Sequence, residues 1–350
     1  MTGRAGEGPI LVTGAAGFVG AAAVHDLLGR GTPVQAVVRP GSRPWRLAPV
    51  AGRLPLHATD LTDADAVQRL IAAVRPSVLL HLAAHGAYES QADSGRILTT
   101  NVLGTLHLLE AAAACGVELV VNAGSSSEYG FKSQPMRETD RLDPNSVYAI
   151  AKAAQTHLCG LFGRRTPTMA VVTLRLFSVY GPWEEPSRLI PTLIRRARAG
   201  LPLEMVAPEV ARDFVFVGDV LRALLDFDRL RHATGEVINL GSGVMMTLGE
   251  VVAAVQDLFG HRSRVVWGGM RARSWDTTRW VADPSRAARI LDWRPTVGFR
   301  EGLARTAEWM ATIGADPDWP DANTSDLAVS SIQARGSHYS PGRSGAGDRL

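Results

Sequence analysis

The segment ILVTGAAGFVG at residues 10–20 decides the fold, because it joins a short apolar run to three regularly spaced glycines, Gly14, Gly17 and Gly20. The residues that follow have the apolar pattern of a helix. A glycine turn between a strand and a helix lets backbone N–H groups at the helix N-terminus approach a pyrophosphate, where the helix dipole favours negative charge. The segment therefore predicts a dinucleotide-binding turn in a βαβ unit.

Downstream of this turn, short apolar runs alternate with helical patterns. PVQAVV (33–38), SVLLHLAA (77–84) and ELVVNAGS (118–125) have the character of buried strands, and helical segments separate them. Strands that alternate with helices form a parallel sheet with helices on both faces. We therefore expect a Rossmann-type, doubly wound α/β domain over residues 9–182.

The regular alternation of strand-like runs and helical patterns ends after Gly181-Pro182. Residues 183–314 predict a smaller C-terminal α/β portion that binds substrate, with some of its segments returning to the Rossmann sheet. From residue 315 to 350 the composition turns to Asp, Ser, Gly and Pro, which cannot bury enough apolar area to offset the entropy lost on ordering. We expect this tail to be disordered.

The composition of the chain excludes several classes of protein. Its 350 residues carry a formal net charge of +3, with 46% hydrophobic and 20% charged residues, which is typical of a globular enzyme. No continuous apolar stretch approaches the roughly 18 residues of a membrane helix, and two cysteines cannot form a disulfide framework. The arginines are scattered rather than massed on one face. We expect a cytoplasmic protein with no structural metal, no membrane partner and no nucleic-acid partner.

The end of the second predicted strand indicates which dinucleotide binds. In the Rossmann fold, a carboxylate about 20 residues past the glycines accepts the ribose 2′-hydroxyl and repels a 2′-phosphate. This chain has VRPGSR at residues 38–43, with no acid. Arg39, helped by Ser42 and Arg43, is placed to form charge-assisted hydrogen bonds to a 2′-phosphate, which favours NADP(H) over NAD(H) unless these are ordinary surface arginines. Asp60, after the third predicted strand, is placed to meet the adenine amino group or to cap a helix.

Tyr148 and Lys152 lie four residues apart on a predicted helix and therefore share one face. The chain has only five tyrosines and two lysines, so this spacing rarely arises by chance. An ammonium close to a phenol favours the phenolate, and we expect Lys152 to lower the pKa of Tyr148 from about 10 toward a range useful for acid–base catalysis. Ser125, at the carboxyl end of a predicted strand, is placed to donate a hydrogen bond to a carbonyl oxygen that becomes an alkoxide.

On these motifs, the chain resembles the extended short-chain dehydrogenase/reductase family, in its nucleotide-sugar epimerase, dehydratase and reductase branch. The resemblance covers about residues 9–312 and runs through the glycine turn, HLAA (81–84), NVLGT (101–105), SSSEYG (125–130), the Tyr148/Lys152 pair, LRLFSVYGP (174–182), RDFV (212–215) and VADPS (281–285). It implies that Tyr148 is the acid/base, that Lys152 also holds the nicotinamide ribose, and that Ser125 is the catalytic serine. It also implies a homodimer.

The motifs and the resemblance together give a predicted set of binding residues. The predicted cofactor contacts are Gly14, Gly17, Phe18, Val19, Gly20, Arg39, Ser42, Arg43, Asp60, Leu61, Leu82, Ala83 and Ala84, with Tyr148 and Lys152. The predicted substrate contacts are Ser126, Ser178, Arg188, Arg212 and Arg273. Of these, Arg212 and Arg273 match family positions that grip the diphosphate of a sugar nucleotide, unless they are plain surface arginines.

One departure from the family pattern bears on the reaction. In relatives that dehydrate a 4-keto sugar, Asp-Glu follows the catalytic Ser or Thr, whereas Ser126-Ser127 stand here, and Glu128 is expected to point the opposite way. The leading hypothesis is therefore an NADPH-dependent ketoreductase of a nucleotide-activated 4-keto-6-deoxyhexose, with hydride to C4 and a proton from Tyr148. The alternative is a nucleotide-sugar 4-epimerase with tightly bound NAD. A 4,6-dehydratase and a non-catalytic dinucleotide sensor are less favoured.

Overall fold

The computed structural model describes residues 8–88, 91–260, 263–270 and 277–313. Its strands are β1 (Ile10–Thr13), β2 (Val34–Val38), β3 (Leu56–Ala58), β4 (Val78–His81), β5 (Leu119–Ser125), β6 (Ala170–Leu176), β7 (Ser178–Tyr180), β8 (Leu203–Met205), β9 (Ala211–Arg212), β10 (Phe214–Phe216), β11 (Val237–Leu240), β12 (Met246–Thr247) and β13 (Val265–Trp267). Its α-helices are α1 (Phe18–Gly29), α2 (Ala64–Val74), α3 (Ser94–Leu98), α4 (Gly104–Cys115), α5 (Val147–Arg165), α6 (Leu189–Arg198), α7 (Val217–Leu224), α8 (Phe227–Arg231), α9 (Leu248–Phe259), α10 (Ser285–Leu291) and α11 (Phe299–Ile313). Short 3-10 helices cover Trp45–Arg53 and Ser126–Tyr129, and a π-helical turn, Thr99–Leu103, joins α3 to α4.

Seven parallel strands form the central sheet, in the order β11-β6-β5-β4-β1-β2-β3. The chain starts in the middle at β1, builds outward through β2 and β3, and then crosses to β4 on the other side of β1. The strand order therefore reverses between β1 and β4, and ligands of such sheets bind in the crevice outside the carboxyl ends of the strands at this point. The predicted Rossmann-type α/β fold is confirmed.

Alternate residues of β1 supply the apolar layers on the two faces of the sheet. Ile10 and Val12 belong to the cluster that packs with α1 and α7, whereas Leu11 belongs to the cluster that packs with α2 and α4. Successive side chains of a strand point to opposite faces, so a strand covered by helices on both sides must be apolar throughout. The apolar runs in the sequence therefore mark strands in the interior of this sheet.

Another apolar cluster lies beyond the sheet, where α6, α9 and α11 pack together. Ile194, Val251 and Leu303 are buried there, one from each helix. The segment after residue 182 also contributes β11, which pairs in parallel with β6 and extends the central sheet. The division of the chain at residue 182 stays a prediction, as does the disordered tail at 315–350, which lies outside the described residues.

One helical stretch, Ser94–Cys115, is long and apolar enough to span a membrane by length and composition alone. It runs through α3, the π-helical turn and α4, and 44% of its most apolar 18-residue part is buried inside the structure. Its Leu108 and Leu109 belong to the apolar cluster between the sheet and α2. Packing in the core therefore accounts for the apolar face of this stretch.

Candidate active site

The glycine turn between β1 and α1 leaves no room for side chains. Gly14 has a φ of +68°, and a Cβ atom there would lie 2.5 Å from backbone atoms of Leu82 and Ala83, just after β4. A Cβ atom at Gly20 would overlap the carbonyl oxygen of Gly14. Gly17 is the N-cap residue of α1 and offers no side chain to the first turn of the helix. A cradle of this shape, with uncapped N–H groups at a helix N-terminus, fits the pyrophosphate of a dinucleotide.

Several apolar residues predicted to contact the cofactor surround this turn. Phe18 and Val19 begin α1 and pack partly buried against the core, as does Leu82 after β4. Leu61 is buried against the start of α4, whereas Ala84 is exposed. The structure brings these residues to the crevice side of the sheet, and their contact with a cofactor stays a prediction.

The end of β2 carries exposed basic side chains and no acid. Arg39 and Arg43 are exposed, and neither forms an ion pair with another described residue. The Ser42 hydroxyl donates a 2.6 Å hydrogen bond to the carbonyl oxygen of Arg39, so it holds the turn that presents the two arginines. Asp60 lies close enough for the positive charge of Arg39 to contribute to lowering the pKa of the Asp60 carboxyl group.

Asp60 is not the cap of the following helix. Its Oδ1 accepts hydrogen bonds from the backbone N–H and the hydroxyl of Thr62, at 2.9 and 2.8 Å, and the backbone bond is the main cause of its lowered pKa. The N-cap of α2 is Asp63, whose side chain accepts from the N–H of Ala66. Asp60 is therefore held as a carboxylate at the end of β3, where an adenine amino group was predicted.

Tyr148 lies in the first turn of α5, above the carboxyl end of β5. The helix begins after Ser146, whose hydroxyl accepts from the N–H of Ala149 at 3.1 Å. Ser125, the last residue of β5, lies close enough to Tyr148 to oppose the effect of burial on the pKa of the phenol, so two of the three predicted catalytic residues come together here. The phenol ring also packs against Gly86, where a Cβ atom would lie 3.3 Å from the ring. Burial raises the pKa of Tyr148 to about 12.

Lys152 is buried one turn further along α5, and its ammonium does not bond Tyr148. The Nζ atom donates to the carbonyl oxygen of Ala123 and to Oε1 of Gln155, each at 2.5 Å. Burial lowers the pKa of Lys152 to about 8. The prediction that Lys152 lowers the pKa of Tyr148 is therefore wrong for this structure, because burial dominates at the phenol and the ammonium is engaged elsewhere.

Glu128 is fully buried and serves the turn that holds Ser125. Its Oε1 accepts from the backbone N–H of Ser125 at 2.8 Å, and its Oε2 accepts from Arg175 Nε at 2.8 Å and Thr156 Oγ1 at 2.9 Å. Both carboxylate oxygens are thus used inside the protein. The carboxylate that follows the serines is therefore a structural anchor.

The predicted substrate residues lie in several parts of the structure. Ser126 accepts a 3.0 Å hydrogen bond from the indole N–H of Trp280, and the guanidinium of Arg212 lies 5.9 Å from the same indole ring. Arg188 lies 6.0 Å from the ring of Tyr88, and its charge acts on Tyr148. Ser178 lies in β7, next to β10. Arg273 lies outside the described residues.

Trp280 and Tyr88 were not singled out by the sequence patterns. Trp280 joins the serine turn to Arg212, and it lies more than 150 positions after Ser126, so no local spacing could reveal this contact. Tyr88 follows the HLAA motif closely, and its ring lies 6.0 Å from the guanidinium of Arg188. Among the described residues, no group of three or more His, Cys, Asp or Glu side chains could hold a metal ion.

Glu184, in the loop between β7 and α6, was also missed. Its side chain is buried, one carboxylate oxygen lies 3.8 Å from Arg188, and the other has no hydrogen-bond partner in the structure. Burial raises the pKa of Glu184 to about 8, against the opposing charges of Arg188 and Arg46. A carboxyl group with these surroundings is largely protonated at neutral pH.

We expect the stability of Glu184→Gln, relative to that of the wild type, to increase as the pH rises. Because the folded pKa of about 8 lies above the ordinary value of 4.5, the stability that the neutral group contributes is complete below pH 4.5 and is lost as the pH rises through 8. The free energy of unfolding of E184Q, relative to that of the wild type, should therefore rise by about 4 kcal/mol between pH 5 and 9. Urea denaturation at both pH values measures this gain. The exposed Glu209→Gln is the control, and equal slopes for all three proteins would contradict the expectation.

The comparisons with known proteins agree with this geometry. The family model of the NAD-dependent epimerase/dehydratase family matches residues 10–241. The chain is 32% identical to a dTDP-glucose 4,6-dehydratase of Streptomyces griseus over 313 residues, covering 86% of this chain and 93% of that protein. It is 29% identical to a UDP-glucuronate 4-epimerase of Thermodesulfobacterium geofontis over 321 residues, covering 86% and 96%. The structure of MoeE5 in complex with UDP-glucose and NAD is 35% identical, with a TM-score of 0.78 over 88% of this chain and all of that chain.

The chain belongs to the NAD-dependent epimerase/dehydratase family. Its relatives are enzymes of the extended short-chain dehydrogenase/reductase type that act on nucleotide sugars, so the resemblance inferred from the motifs is confirmed. The relatives include both epimerases and dehydratases at about the same identity. Family membership therefore fixes the class of enzyme and leaves the particular reaction to be argued from the site.

Proposed function

We propose that the protein is an NADPH-dependent ketoreductase of a nucleotide-activated 4-keto-6-deoxyhexose. The end of β2 carries this proposal, because Arg39 and Arg43 are exposed there without ion-pair partners among the described residues, and no carboxylate is present to accept a ribose 2′-hydroxyl. Two free guanidinium groups favour a 2′-phosphate. A reductase takes up reduced cofactor in each turnover, which suits NADPH. The proposed enzyme is a homodimer.

The protonation state of Tyr148 supports reduction. With a pKa of about 12, the phenol keeps its proton throughout the neutral range and is ready to give it to a developing alkoxide. Ser125, beside Tyr148, is proposed to hold the same oxygen through its hydroxyl. When bound, the dinucleotide supplies the hydride. Arg212 is proposed to hold the diphosphate of the substrate together with Arg273, and Arg188 is proposed as a further substrate contact.

The serine turn argues against dehydration. Elimination of water from a 4-keto sugar needs an acid for the leaving hydroxyl and a base for the C5 proton, and the hydroxyls of Ser126 and Ser127 are poor groups for both tasks. Glu128 is fully buried with both oxygens occupied, so it offers no substitute. The same residues support simple hydride and proton transfer.

A nucleotide-sugar 4-epimerase that retains NAD is the second candidate. The observation that favours it is the set of related structures solved with NAD, including MoeE5 with UDP-glucose and a UDP-glucuronic acid 4-epimerase from Bacillus cereus. An epimerase needs the same tyrosine and serine, so the two candidates differ mainly in the fate of the cofactor.

The purified protein distinguishes the two candidates when it is given dTDP- or UDP-4-keto-6-deoxyglucose with NADPH. A ketoreductase oxidises one NADPH for each sugar reduced, which is followed by the loss of absorbance at 340 nm. Mass spectrometry of the same preparation reports any retained cofactor. Retained NAD, with interconversion of UDP-sugars and no use of NADPH, would establish the epimerase instead.

A further inference from the structure

Arg46 makes a bridge between two loops that flank the crevice. It lies in the 3-10 helix Trp45–Arg53 between β2 and β3, and its side chain is buried. The guanidinium donates to the carbonyl oxygen of Ala16 at 3.2 Å, to the carbonyl oxygen of Trp183 at 2.7 Å and to Oε2 of Glu185 at 2.8 Å. Each of its three nitrogen atoms has a separate acceptor. A rigid fork of this kind fixes the relative position of the groups that it joins.

The two loops that Arg46 joins have different tasks in the proposed function. Ala16 is part of the glycine turn, between Gly14 and Gly17. Trp183 and Glu185 belong to the β7–α6 loop, residues 181–188, which ends at the predicted substrate residue Arg188. Arg46 therefore ties the cradle of the dinucleotide to the loop on the side of the sugar nucleotide.

The β7–α6 loop is held in a strained shape at Trp183. This residue has a φ of +73°, which is uncommon for a bulky side chain and persists only where surrounding contacts enforce it. Its ring stacks on His25 of α1 with centroids 4.2 Å apart and planes 5° from parallel. His25 Nε2 in turn bonds the carbonyl oxygen of Arg46 at 2.8 Å. Backbone and side chain of Arg46 thus both act on the conformation at Trp183.

The far end of the loop reaches the reacting groups. The guanidinium of Arg188 lies 6.0 Å from the ring of Tyr88, and its positive charge acts on Tyr148. A shift of the loop at Trp183 would therefore move charge next to the proposed proton donor. The path runs from the glycine turn through the hydrogen bonds of Arg46 to the β7–α6 loop, and it ends at Arg188, whose charge acts on Tyr148.

We propose that Arg46 is a positioning residue that couples occupation of the glycine turn to the shape of the β7–α6 loop, so that dinucleotide and nucleoside diphosphate bind cooperatively. The proposal rests on the proposed function only in assigning this loop to the sugar nucleotide. Couplings between two sites in proteins are typically 5- to 150-fold in affinity, and they are reciprocal. We expect a coupling of at least about fivefold in the wild type.

Isothermal titration calorimetry tests this coupling without turnover. The dissociation constant of NADPH or NADH, whichever binds more tightly, is measured with and without saturating UDP or dTDP, whichever binds. Arg46→Lys should reduce the coupling to less than about twofold, whereas the exposed Arg53→Lys in the same 3-10 helix should keep it. Glu185→Ala removes one of the three bonds of the bridge and should reduce the coupling in part. The double variant R46K/E185A should lose no more coupling than R46K alone, because both substitutions act on one bridge.

A merely structural role for Arg46 would change stability or both affinities but leave their ratio intact. Glu185→Ala guards against loss of folding, because Arg46 keeps its two bonds to backbone carbonyls in that variant. Full coupling in R46K and E185A, or no coupling in the wild type, would overturn the proposal. Since UDP and dTDP do not react, the proposal can fail while ketoreduction is confirmed, and it can hold while the reaction proves to be epimerisation.

Discussion

Tyr148→Phe is expected to lower the turnover number for 4-keto sugar reduction by about 1,000-fold, because it removes only the proton that the alkoxide must receive. The phenyl ring can keep its packing against Gly86, and the fold of α5 does not depend on the hydroxyl. The dissociation constants of the dinucleotide and of UDP or dTDP should therefore change less than about threefold. Steady-state kinetics and calorimetry on the same preparation measure both effects.

Tyr129→Phe is the matched control for this prediction. Tyr129 belongs to the same serine turn, but it is fully buried and its hydroxyl donates to Asn239 at 2.7 Å, in the β11 strand rather than in the crevice. Its loss should lower stability by about 1 kcal/mol and leave turnover within a few-fold of the wild type. If Y148F kept more than a tenth of the wild-type rate, Tyr148 would not be the proton donor.

Arg39→Asp should change the choice of dinucleotide. The substitution removes a charge-assisted donor to the 2′-phosphate and puts a carboxylate where the ribose 2′-hydroxyl of NADH can bond to it. Loss of such a bond, together with repulsion between carboxylate and phosphate, is expected to weaken NADPH binding about 100-fold. The affinity for NADH should rise or stay level. Fluorescence titration of both reduced cofactors measures the switch.

Arg53→Asp is the control for charge alone. Arg53 is exposed at the end of the 3-10 helix that follows the same strand, so the variant has the same net charge as Arg39→Asp. It should bind both cofactors as the wild type does. Equal weakening of NADPH and NADH in Arg39→Asp would show that Arg39 does not read the 2′-phosphate.

The central sheet could be predicted from the sequence because its signals are local. The residues of β1 and β4 are buried on both faces, so each strand begins with three consecutive apolar residues, and a glycine turn and a helical pattern follow β1. Gly14 and Gly20 are required because backbone atoms occupy the space that a Cβ would need. These constraints act between residues close in sequence and therefore leave a readable pattern.

The direction of the Lys152 side chain could not be predicted in the same way. Spacing of four residues places Tyr148 and Lys152 on one face of α5, but the ammonium follows the acceptors that the fold provides, Ala123 and Gln155. Ala123 lies in β5, 29 positions earlier in the chain. The pKa values of both groups depend on this placement and on burial, neither of which is visible in a linear motif.

The contacts between the glycine turn and the β7–α6 loop could not be predicted from the sequence either. Arg46 bonds Trp183 and Glu185 across more than 130 positions, and nothing in the sequence around residue 46 distinguishes it from the many surface arginines. Glu184 has an ionisable side chain and lies in a loop, so nothing in the sequence predicts its burial. Such residues become visible only when the loops are assembled on the sheet.

Transfer of deuterium from the nicotinamide C4 of labelled NADPH to the sugar tests the central claim most directly. With both stereospecifically labelled forms supplied in turn, we predict that one of them places one deuterium at C4 of the reduced nucleotide sugar and yields an equal amount of NADP+. A sugar product that forms without deuterium from either labelled cofactor, and without NADP+, would contradict ketoreduction.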